Sequence, residues 1–337
     1  MKQFSGLLAA TLLLLCAGSF AADYSPAALA LHRPPAPGEK GVVVTFMGTT
    51  TALISDGETS LLTDGYFSRV KMDPEAEGGG VVEPDTAAIK AGIAALGIRS
   101  LSAILVLHSH FDHAMDAPIV AALTGAELVG SESTANVGRG LDLPEKQIRV
   151  VAPGEAVRYG KFVAHFYRGK HWPLPEPYAS AMLGNSIDAP LKPPARIYDY
   201  KEGTTWTILL EHPAGNLLIQ GSASYLPGAL AGVKADAILL GTGGLGDLPR
   251  AEQEAYYREV VSATGARAVF PVHWDVMSTP LSEPLVPDSD FQRSMAFLGE
   301  MQKRTGVRFH LLPKGEPVVV LKQALPPVEG RATLLRK

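Results

Sequence analysis

Residues 104–117 read ILVLHSHFDHAMDA, and this stretch constrains the fold more than any other part of the chain. An unbroken apolar run ends here, and three histidines and an aspartate follow within six residues: His108, His110, Asp112 and His113. Polar and partly ionisable groups beside a core cost free energy unless something binds them. The stretch therefore predicts a buried strand that ends at a binding site for these side chains.

The size and composition are those of a globular protein. The 337 residues are enough for a sizeable core in one large domain or two small ones. Apolar residues make up 46% and charged residues 19%, which excludes a disordered or fibrous chain. Because the formal net charge is -4 and no basic run is present, we expect no nucleic-acid partner. The composition does not specify an oligomeric state.

The first 21 residues have the pattern of a secretory signal peptide. Lys2 gives a positive start, residues 7–17 are apolar, and residues 19–21 (SFA) place small side chains at the positions that a signal peptidase reads. We expect cleavage after Ala21, a periplasmic or secreted protein, and no stable membrane span after processing. The alternatives are a membrane anchor, for which the apolar run is short, and a lipoprotein attached through Cys16.

The single cysteine, Cys16, lies inside that peptide. The mature chain would then have neither a disulfide nor a thiolate metal ligand. Any metal must be held by His, Asp or Glu. Neutral imidazole and carboxylate without thiolate suit zinc, with iron and manganese as competitors.

Beyond the signal peptide (1–21), the chain is divided into three parts by its composition. Residues 22–41 are rich in Pro and Ala and predict an extended lead-in, residues 42–322 predict one domain, and residues 323–337 predict a C-terminal tail. Within the domain, short apolar strands alternate with helical segments in both halves, including a helix over 85–96. This alternation predicts two sheets flanked by helices, an α/β sandwich.

The histidine spacing indicates a metal site at the rim of these sheets. His108 and His110 are two residues apart, so on an extended backbone they point the same way and can share one cation. Asp112 and His113 lie past the strand end, where the chain turns and can face a second cation nearby. Two further histidines end strand-like segments bounded by Gly or Pro and belong to the same rim: His171 and His273.

Residues 108–113 (HSHFDH) match the H-x-H-x-D-H signature, and the chain therefore resembles the metallo-β-lactamase superfamily. His171 and His273 follow in the chain order of that family. The segments SLLTDGYFSR, GKHW and FPVHWD are similar to the branch with ascorbate-6-phosphate lactonase-like and phospholipase-D-like members. The resemblance covers roughly residues 42–322 and implies the family's four-layer αββα sandwich.

The resemblance implies a metal-dependent hydrolase with two metal sites. The first metal would be bound by three histidines: His108, His110 and His171. The second would be bound by a carboxylate and two histidines: Asp112, His113 and His273. A hydroxide between the metals would attack an ester, lactone, amide or phosphodiester bond, with Asp112 orienting it as the catalytic residue. Asp64, in LLTDG, matches an acidic position that in relatives supports a ligand histidine.

One position departs from the family's dinuclear pattern. Relatives place a bridging aspartate in G-D-x-x-Y, whereas residues 221–225 read GSASY, so Ser222 takes the aspartate's place. A neutral hydroxyl bridges poorly and leaves two dications less screened from each other. This predicts a weaker second site and leaves open whether the chain binds one zinc or two. One subclass of true metallo-β-lactamases also has serine here and binds two.

Three alternative functions stay open. A periplasmic β-lactamase is favoured by the export signal and by Ser222, but not by the lactonase-like segments. Diiron redox proteins share this fold, but they carry glutamate where this chain has His110, and they need a flavin domain. A non-catalytic metal binder would keep the ligands without turnover.

Other motifs predict structural roles. Residues 241–246 (GTGGLG) match G-x-G-x-x-G, but residues 247–249 intervene before the next helix, so we predict a glycine-rich loop near the metal rim and no dinucleotide site. Residues 68–71 match S-x-x-K without the partner motifs of a serine acyl-enzyme. Four further histidines are expected to be structural or solvated: His32, His165, His212 and His310.

The substrate pocket has no readable sequence code. Residues 172–200 are rich in Pro, Gly and Tyr and have little periodicity. That is long for a structureless connection, so we expect a functional loop or lid. Five aromatic residues are candidates for lining an apolar pocket, although such side chains also serve packing: Trp172, Tyr178, Trp206, Tyr225 and Trp274.

Overall fold

The computed structural model describes residues 41–73 and 75–322. The predicted signal peptide and tail, and all but the last residue of the predicted lead-in, lie outside these ranges. Their assignments stay predictions. Within the described ranges, no helix is both long and apolar enough to cross a bilayer.

The described chain contains sixteen strands and seven α-helices. The strands are β1 (Gly41–Gly48), β2 (Thr51–Ser55), β3 (Ser60–Thr63), β4 (Val81–Val82), β5 (Ala103–Leu105), β6 (Glu127–Gly130), β7 (Ile148–Val150), β8 (Ala156–Tyr159), β9 (Phe162–Arg168), β10 (Ala195–Arg196), β11 (Trp206–His212), β12 (Gly215–Gln220), β13 (Ala237–Gly241), β14 (Ala268–Val272), β15 (Arg308–Phe309) and β16 (Pro317–Lys322). The helices are α1 (Thr86–Ala95), α2 (Phe111–Ala114), α3 (Ala117–Thr124), α4 (Glu132–Gly140), α5 (Tyr178–Met182), α6 (Arg250–Tyr256) and α7 (Phe291–Thr305).

Two seven-stranded sheets form the central layers. The strand order is β16-β1-β2-β3-β5-β6-β7 in the first sheet and β15-β14-β13-β12-β11-β9-β8 in the second. One apolar cluster lies between the sheets, and two more join the outer faces of the sheets to helices. The two flanked sheets confirm the predicted four-layer α/β sandwich.

Central strands are buried on both faces, which explains their continuous apolar sequences. In β13, Ala237 and Leu239 belong to the cluster between the sheets. Their neighbours Ile238 and Leu240 belong to the outer cluster, together with Leu298 of α7. Successive strand side chains point to opposite faces, so a strand between two apolar layers needs apolar residues at every position.

Local sequence signals set several element ends. The Asp85 carboxylate caps α1 by accepting hydrogen bonds from the backbone N–H groups of Ala87 and Ala88, at 2.8 and 3.1 Å. This helix lies within the predicted range 85–96. The hairpin of β11 and β12 turns between His212 and Gly215.

One edge of the sandwich collects strand ends from both sheets. Strands β3 and β5 are parallel, and so are β12, β13 and β14. Strand β9 runs in the same direction as β12, because both pair antiparallel with β11. The loops that follow these strands meet at a single cleft, as is usual where the carboxyl ends of strands converge.

Candidate metal centre

The six predicted ligand residues come together in two adjoining groups. The first group is His108, His110 and His171, and the second is Asp112, His113 and His273. Within each group, one donor atom from every residue lies within 4.8 Å of the others. The ring centroids of His108 and His113 are 3.8 Å apart, so the two groups share a boundary. This is the grouping that the resemblance implies.

The first two histidines of the motif lie on a loop, and Asp112 and His113 lie in the short helix α2. Strand β5 ends at Leu105; Val106 N–H still donates to the Val129 carbonyl of β6 at 2.9 Å, and the backbone beyond it bonds outside the sheet. Leu107 N–H donates to Asp64 Oδ1 at 2.8 Å, and Ser109 N–H donates to the Glu202 carbonyl at 2.9 Å. The backbone of His110 is extended although it lies beyond the strand. The loop still brings both rings to the first group.

Asp64 orients His113. Asp64 is fully buried, and its Oδ2 lies 2.8 Å from His113 Nδ1 and accepts a hydrogen bond from the Thr50 hydroxyl. Because a carboxylate accepts, His113 Nδ1 carries the proton and Nε2 keeps its lone pair. Nε2 is the nitrogen on the side of Asp112. This contact corresponds to the supporting role that the resemblance implies for Asp64.

The donor atoms fit a bound metal. Both ring nitrogens of His108, and Nε2 of His110 and of His113, are buried without a hydrogen-bond partner among the described residues. Such atoms are destabilising unless something coordinates them. Imidazole lone pairs with one carboxylate are the ligands that first-row transition metals prefer. A cation at each group would satisfy one nitrogen of each of these three histidines.

Burial keeps the first group neutral. Burial, followed by the charges of neighbouring histidines, lowers the pKa of His108 and His110 well below the ordinary value. Burial also lowers the pKa of His171 to about 4. At neutral pH these three imidazoles are uncharged, and a neutral imidazole keeps the lone pair that a metal needs.

The second group has a different charge state. Burial would raise the pKa of Asp112, but the charge of His113 and the hydrogen bond from His273 outweigh burial and hold it well below its ordinary range. Asp112 Oδ2 lies 3.2 Å from His273 Nε2 and 3.4 Å from His113 Nε2. Asp112 is therefore ionised. Burial would lower the pKa of His113, but the carboxylates of Asp112 and Asp64 raise it, so a proton and a cation compete for this imidazole.

Backbone strain is concentrated beside this centre. Among the described residues, five that are not glycine have a positive φ, and only Asp142 of them lies elsewhere. The other four belong to the centre or adjoin it, with φ between 52 and 56°: Thr49, Asp64, Arg69 and His273. A side chain with a Cβ holds this conformation only where its surroundings impose it.

A buried ion pair supplies that constraint. Arg69 pairs with the carboxylate of Asp275, and both are buried. Asp275 Oδ1 also accepts from Thr49 N–H at 2.7 Å, and the Thr49 carbonyl accepts from His273 N–H at 2.5 Å. The three loops that carry Thr49, Arg69 and His273 are thus joined. Sequence reasoning missed this link.

The hydroxyl of Ser222 accepts a hydrogen bond from the backbone. It lines the cleft, and its Oγ accepts from Trp172 N–H at 2.8 Å. The Trp172 indole N–H donates to the Gly244 carbonyl at 2.9 Å. Ser222 thus holds the chain directly after His171.

The glycine-rich segment 241–246 packs against the metal centre. A Cβ on Gly243 would lie 2.7 Å from the His273 carbonyl oxygen, and one on Gly244, whose φ is +75°, would lie 2.3 Å from the Trp172 ring. These glycines allow close approach of the cleft loops. The location agrees with the predicted glycine-rich loop at the metal rim.

Two of the five aromatic residues predicted for the pocket line the cleft: Trp172 and Tyr178. The other three lie elsewhere. Trp206 is 1% exposed and Trp274 is buried, and both belong to the core between the sheets. Tyr225 is half-buried outside the cleft, with its hydroxyl 3.3 Å from Glu252. Trp206 lies on β11 and Trp274 just after β14, and both rings are used for packing.

The remaining histidines lie apart from the two groups. His165 Nε2 is 3.0 Å from Glu211, and His212 Nε2 is 3.3 Å from Asp56. His310 is buried beside the Phe270 ring. These positions agree with the structural roles predicted for them, and His32 lies outside the described residues.

Comparison with known proteins identifies the architecture. No protein-family model matches the chain, and neither does any curated protein sequence. Among solved structures, a metallo-β-lactamase fold protein from Bacillus subtilis has 14% identity, covers 83% of this chain and 99% of its own, and has a TM-score of 0.51. A metallo-hydrolase from Ignicoccus hospitalis has 13% identity, 82% and 97% coverage, and a TM-score of 0.50.

A third similar structure is a Veillonella parvula protein described as a possible metal-dependent hydrolase. It has 14% identity to this chain, the match covers 83% of this chain and 100% of the other, and the TM-score is 0.51. At such low identities the likeness concerns the fold. One of these structures is named for the metallo-β-lactamase fold, and the likenesses cover most of this chain and nearly all of each similar chain. The chain has the metallo-β-lactamase fold.

Proposed function

We propose that this protein is a zinc-dependent hydrolase that cleaves an ester, lactone, amide or phosphodiester bond in a small molecule. One observation carries the proposal: two groups of metal-ligand side chains, with buried unpartnered nitrogens, adjoin the floor of a cleft. Zinc is the cation that this mixture of imidazole and carboxylate suits best, in one or two copies per chain. The likeness in fold to metal-dependent hydrolases supports the same reaction class.

One residue of the chain can orient the attacking water molecule and accept a hydrogen bond from it. A bound divalent cation would lower the pKa of a water molecule and polarise the scissile oxygen. Ionised Asp112 stands between His113 and His273 and lines the cleft, so its carboxylate can accept a hydrogen bond from the attacking water and aim it. In the net reaction the acyl or phosphoryl centre gains the water oxygen, its bond to the leaving atom breaks, and the leaving group takes a proton.

Loss of a first-group histidine tests this proposal. His110→Ala removes a ligand that lines the cleft, so zinc-loaded variant protein is expected to lose at least a thousandfold in kcat/KM on any substrate that the wild type cleaves. A panel of lactones, carboxylic esters, phosphodiesters and β-lactams supplies the substrate. His165→Ala is the matched control, because its ring pairs with Glu211 away from the centre. Undiminished turnover by folded His110→Ala protein would contradict the assignment.

Export is part of the proposal. The N-terminal pattern, with cleavage after Ala21, supports a periplasmic or secreted protein. N-terminal sequencing of the protein from a periplasmic fraction is expected to begin at Ala22. A chain that keeps Met1 and stays in the cytoplasm would contradict it.

A further inference from the structure

We infer that the preferred substrate is an uncharged ester or lactone with an apolar chain, and that the cleft discriminates against substrates carrying a carboxylate or phosphate away from the scissile bond. The inference rests on the proposed hydrolase function and adds the chemical class of the substrate. It follows from what lines the cleft beyond the ligand residues.

Five lining residues form what we call the apolar wall: Met72, Leu174, Tyr178, Met182 and Met277. Met182 belongs to a buried apolar cluster, and the other four are partly buried against the same cluster. The apolar wall is thus the open margin of a core. An apolar chain laid on it would remove both surfaces from water, at about 0.8 kcal/mol for each methylene buried.

The charged lining residues outside the ligand groups are all acidic. They form what we call the acidic rim: Asp247, Asp288 and Asp290. No lysine or arginine is among the described residues that line the cleft. The cleft volume of about 230 Å³ therefore offers an organic substrate apolar contacts and carboxylates, and no guanidinium or ammonium group.

The three carboxylates of the acidic rim differ in the groups that already pair with them. Asp247 pairs with Arg293, and Asp290 accepts from Gly246 N–H at 3.0 Å and from a serine hydroxyl. Asp288 is exposed, its Oδ1 accepts from Ser289 N–H at 2.6 Å, and no basic side chain among the described residues pairs with it. Asp288 is therefore an exposed carboxylate of the acidic rim without a cationic partner, and its charge can act on a substrate.

Apart from the proposed cations, the described residues that line the cleft include no basic side chain that could bind an anion. Proteins bind carboxylates and phosphates with Arg or Lys, or with the N-terminus of a helix. Helix α7 begins at Phe291 beside the cleft, but the Asp290 carboxylate already stands at that end. A second anion there would meet a like charge, and on the apolar wall it would lose its hydration. Penicillin-type β-lactams carry a carboxylate away from the scissile bond, so we expect them to be poor substrates. In a phosphodiester the anion is the reacting group and would lie at the proposed cations, so no such discrimination is expected against it.

A matched pair of esters tests the inference on the zinc-loaded protein. 4-Nitrophenyl hexanoate and the mono-4-nitrophenyl ester of adipic acid have the same six-carbon chain, and only the second carries a terminal carboxylate. We expect kcat/KM to be at least tenfold higher for the hexanoate. Among straight-chain esters from acetate to hexanoate, kcat/KM is expected to rise by up to about fourfold for each methylene that the apolar wall buries.

Reversing one charge of the acidic rim is expected to change the preference between the two esters. Asp288→Lys is expected to shift the ratio of the two kcat/KM values at least tenfold toward the adipate ester. Asp188→Lys makes the same charge change at an exposed residue outside the cleft, and it should leave the ratio unchanged. An equal shift in both variants would mean that overall charge, and not the acidic rim, governs selection.

Binding supplies a readout that needs no turnover. Titration of tryptophan fluorescence, with Trp172 in the cleft, is expected to show hexanamide binding at least tenfold more tightly than the monoamide of adipic acid. If neither ester is cleaved, the hydrolase proposal fails, and the amide titration still decides the preference for uncharged ligands. Equal or better cleavage of the adipate ester, or tighter binding of the acidic amide, would overturn the inference while leaving the hydrolase in place.

Discussion

His113 shows how one residue is prepared for a cation. Its Nδ1–H is directed at buried Asp64, and its Nε2 is left without a partner among the described residues. A carboxylate on the far side of a ligand imidazole fixes the tautomer and makes the other nitrogen a better donor. The second metal group therefore depends on a side chain that does not belong to it.

Replacing that carboxylate should weaken the second metal selectively. In Asp64→Asn the acceptor for His113 Nδ1–H loses its charge, so affinity for the second zinc is expected to fall about 10- to 100-fold, with the first little changed. Competition with a chromophoric chelator measures both. Asp56→Asn is the control, because it alters a similar contact with His212 away from the centre. Equal losses in both variants would show that Asp64 has no special role.

A substitution at Ser222 is expected to have the opposite effect on the second zinc, namely to raise its affinity. Ser222→Asp adds negative charge beside the two groups, so affinity for the second zinc is expected to rise at least tenfold, and a carboxylate oxygen can still accept from Trp172 N–H. Ser222→Ala removes the acceptor without adding charge, and it should not raise zinc affinity. Isothermal titration with zinc compares the three proteins. Identical affinities for the aspartate and alanine variants would mean that position 222 does not face the cations.

Residue-level prediction succeeded where residues lie in one short motif. The HSHFDH spacing and two later histidines at strand ends led to the groups that the structure assembles. The Arg69–Asp275 pair could not be predicted, because 206 positions separate its members and neither stands in a recognisable pattern. Trp206, a candidate for the pocket, packs in the core instead, because sequence does not show which face of a strand an aromatic ring occupies.

At the scale of elements, Asp116 ties the loop after β3 to the start of α3. Its Oδ2 accepts from the backbone N–H groups of Phe67 and Ser68, at 2.7 and 2.6 Å, and its Oδ1 accepts from the Ser68 hydroxyl at 2.7 Å. Burial raises the pKa of Asp116 to about 6, against the lowering effect of these hydrogen bonds. The loop also carries Arg69, so its anchoring bears on the metal centre.

The raised pKa of Asp116 predicts a pH-dependent stability difference. The folded protein holds this proton more tightly than the unfolded chain, whose value is 3.8, so the contribution is full below pH 3.8 and is lost as pH rises through about 6. The difference corresponds to about 3 kcal/mol. Relative to wild type, Asp116→Asn should therefore become more stable by up to that amount between pH 4 and pH 7. Urea unfolding of metal-free protein measures it, and a difference that is constant with pH would contradict the assignment.

The Arg69–Asp275 pair joins the loop after β3 to the loop that carries His273. Arg69→Met leaves a buried carboxylate unpaired, so the free energy of unfolding is expected to fall by about 3 to 5 kcal/mol. The double variant Arg69→Met/Asp275→Leu removes both charges and should recover part of that loss. Denaturant unfolding measures both proteins. A double variant as unstable as the sum of its single changes would show that the two charges are not coupled.

At the scale of the whole molecule, alternation of strands and helices was enough to predict the layers. Strands buried on both faces have continuous apolar sequences. Their alternation with helical segments predicted the two flanked sheets that the structure contains. Segment 172–200 was harder, because it lacks periodicity. In the structure it contains α5 and β10, which pairs with β4, and it gives the cleft Trp172, Leu174, Tyr178 and Met182. Its conformation depends on contacts with distant segments, which no local pattern records.

The central claim is that the two groups hold metal ions, and counting the metals tests it most directly. Elemental analysis for zinc, iron and manganese on the purified protein, at saturating zinc, is expected to give two zinc ions per chain. A variant with His108→Ala and His110→Ala should lose the first of them. Iron in place of zinc would contradict the zinc assignment and favour redox chemistry. No bound metal after zinc is added back, or equal zinc in the double variant, would contradict the account itself.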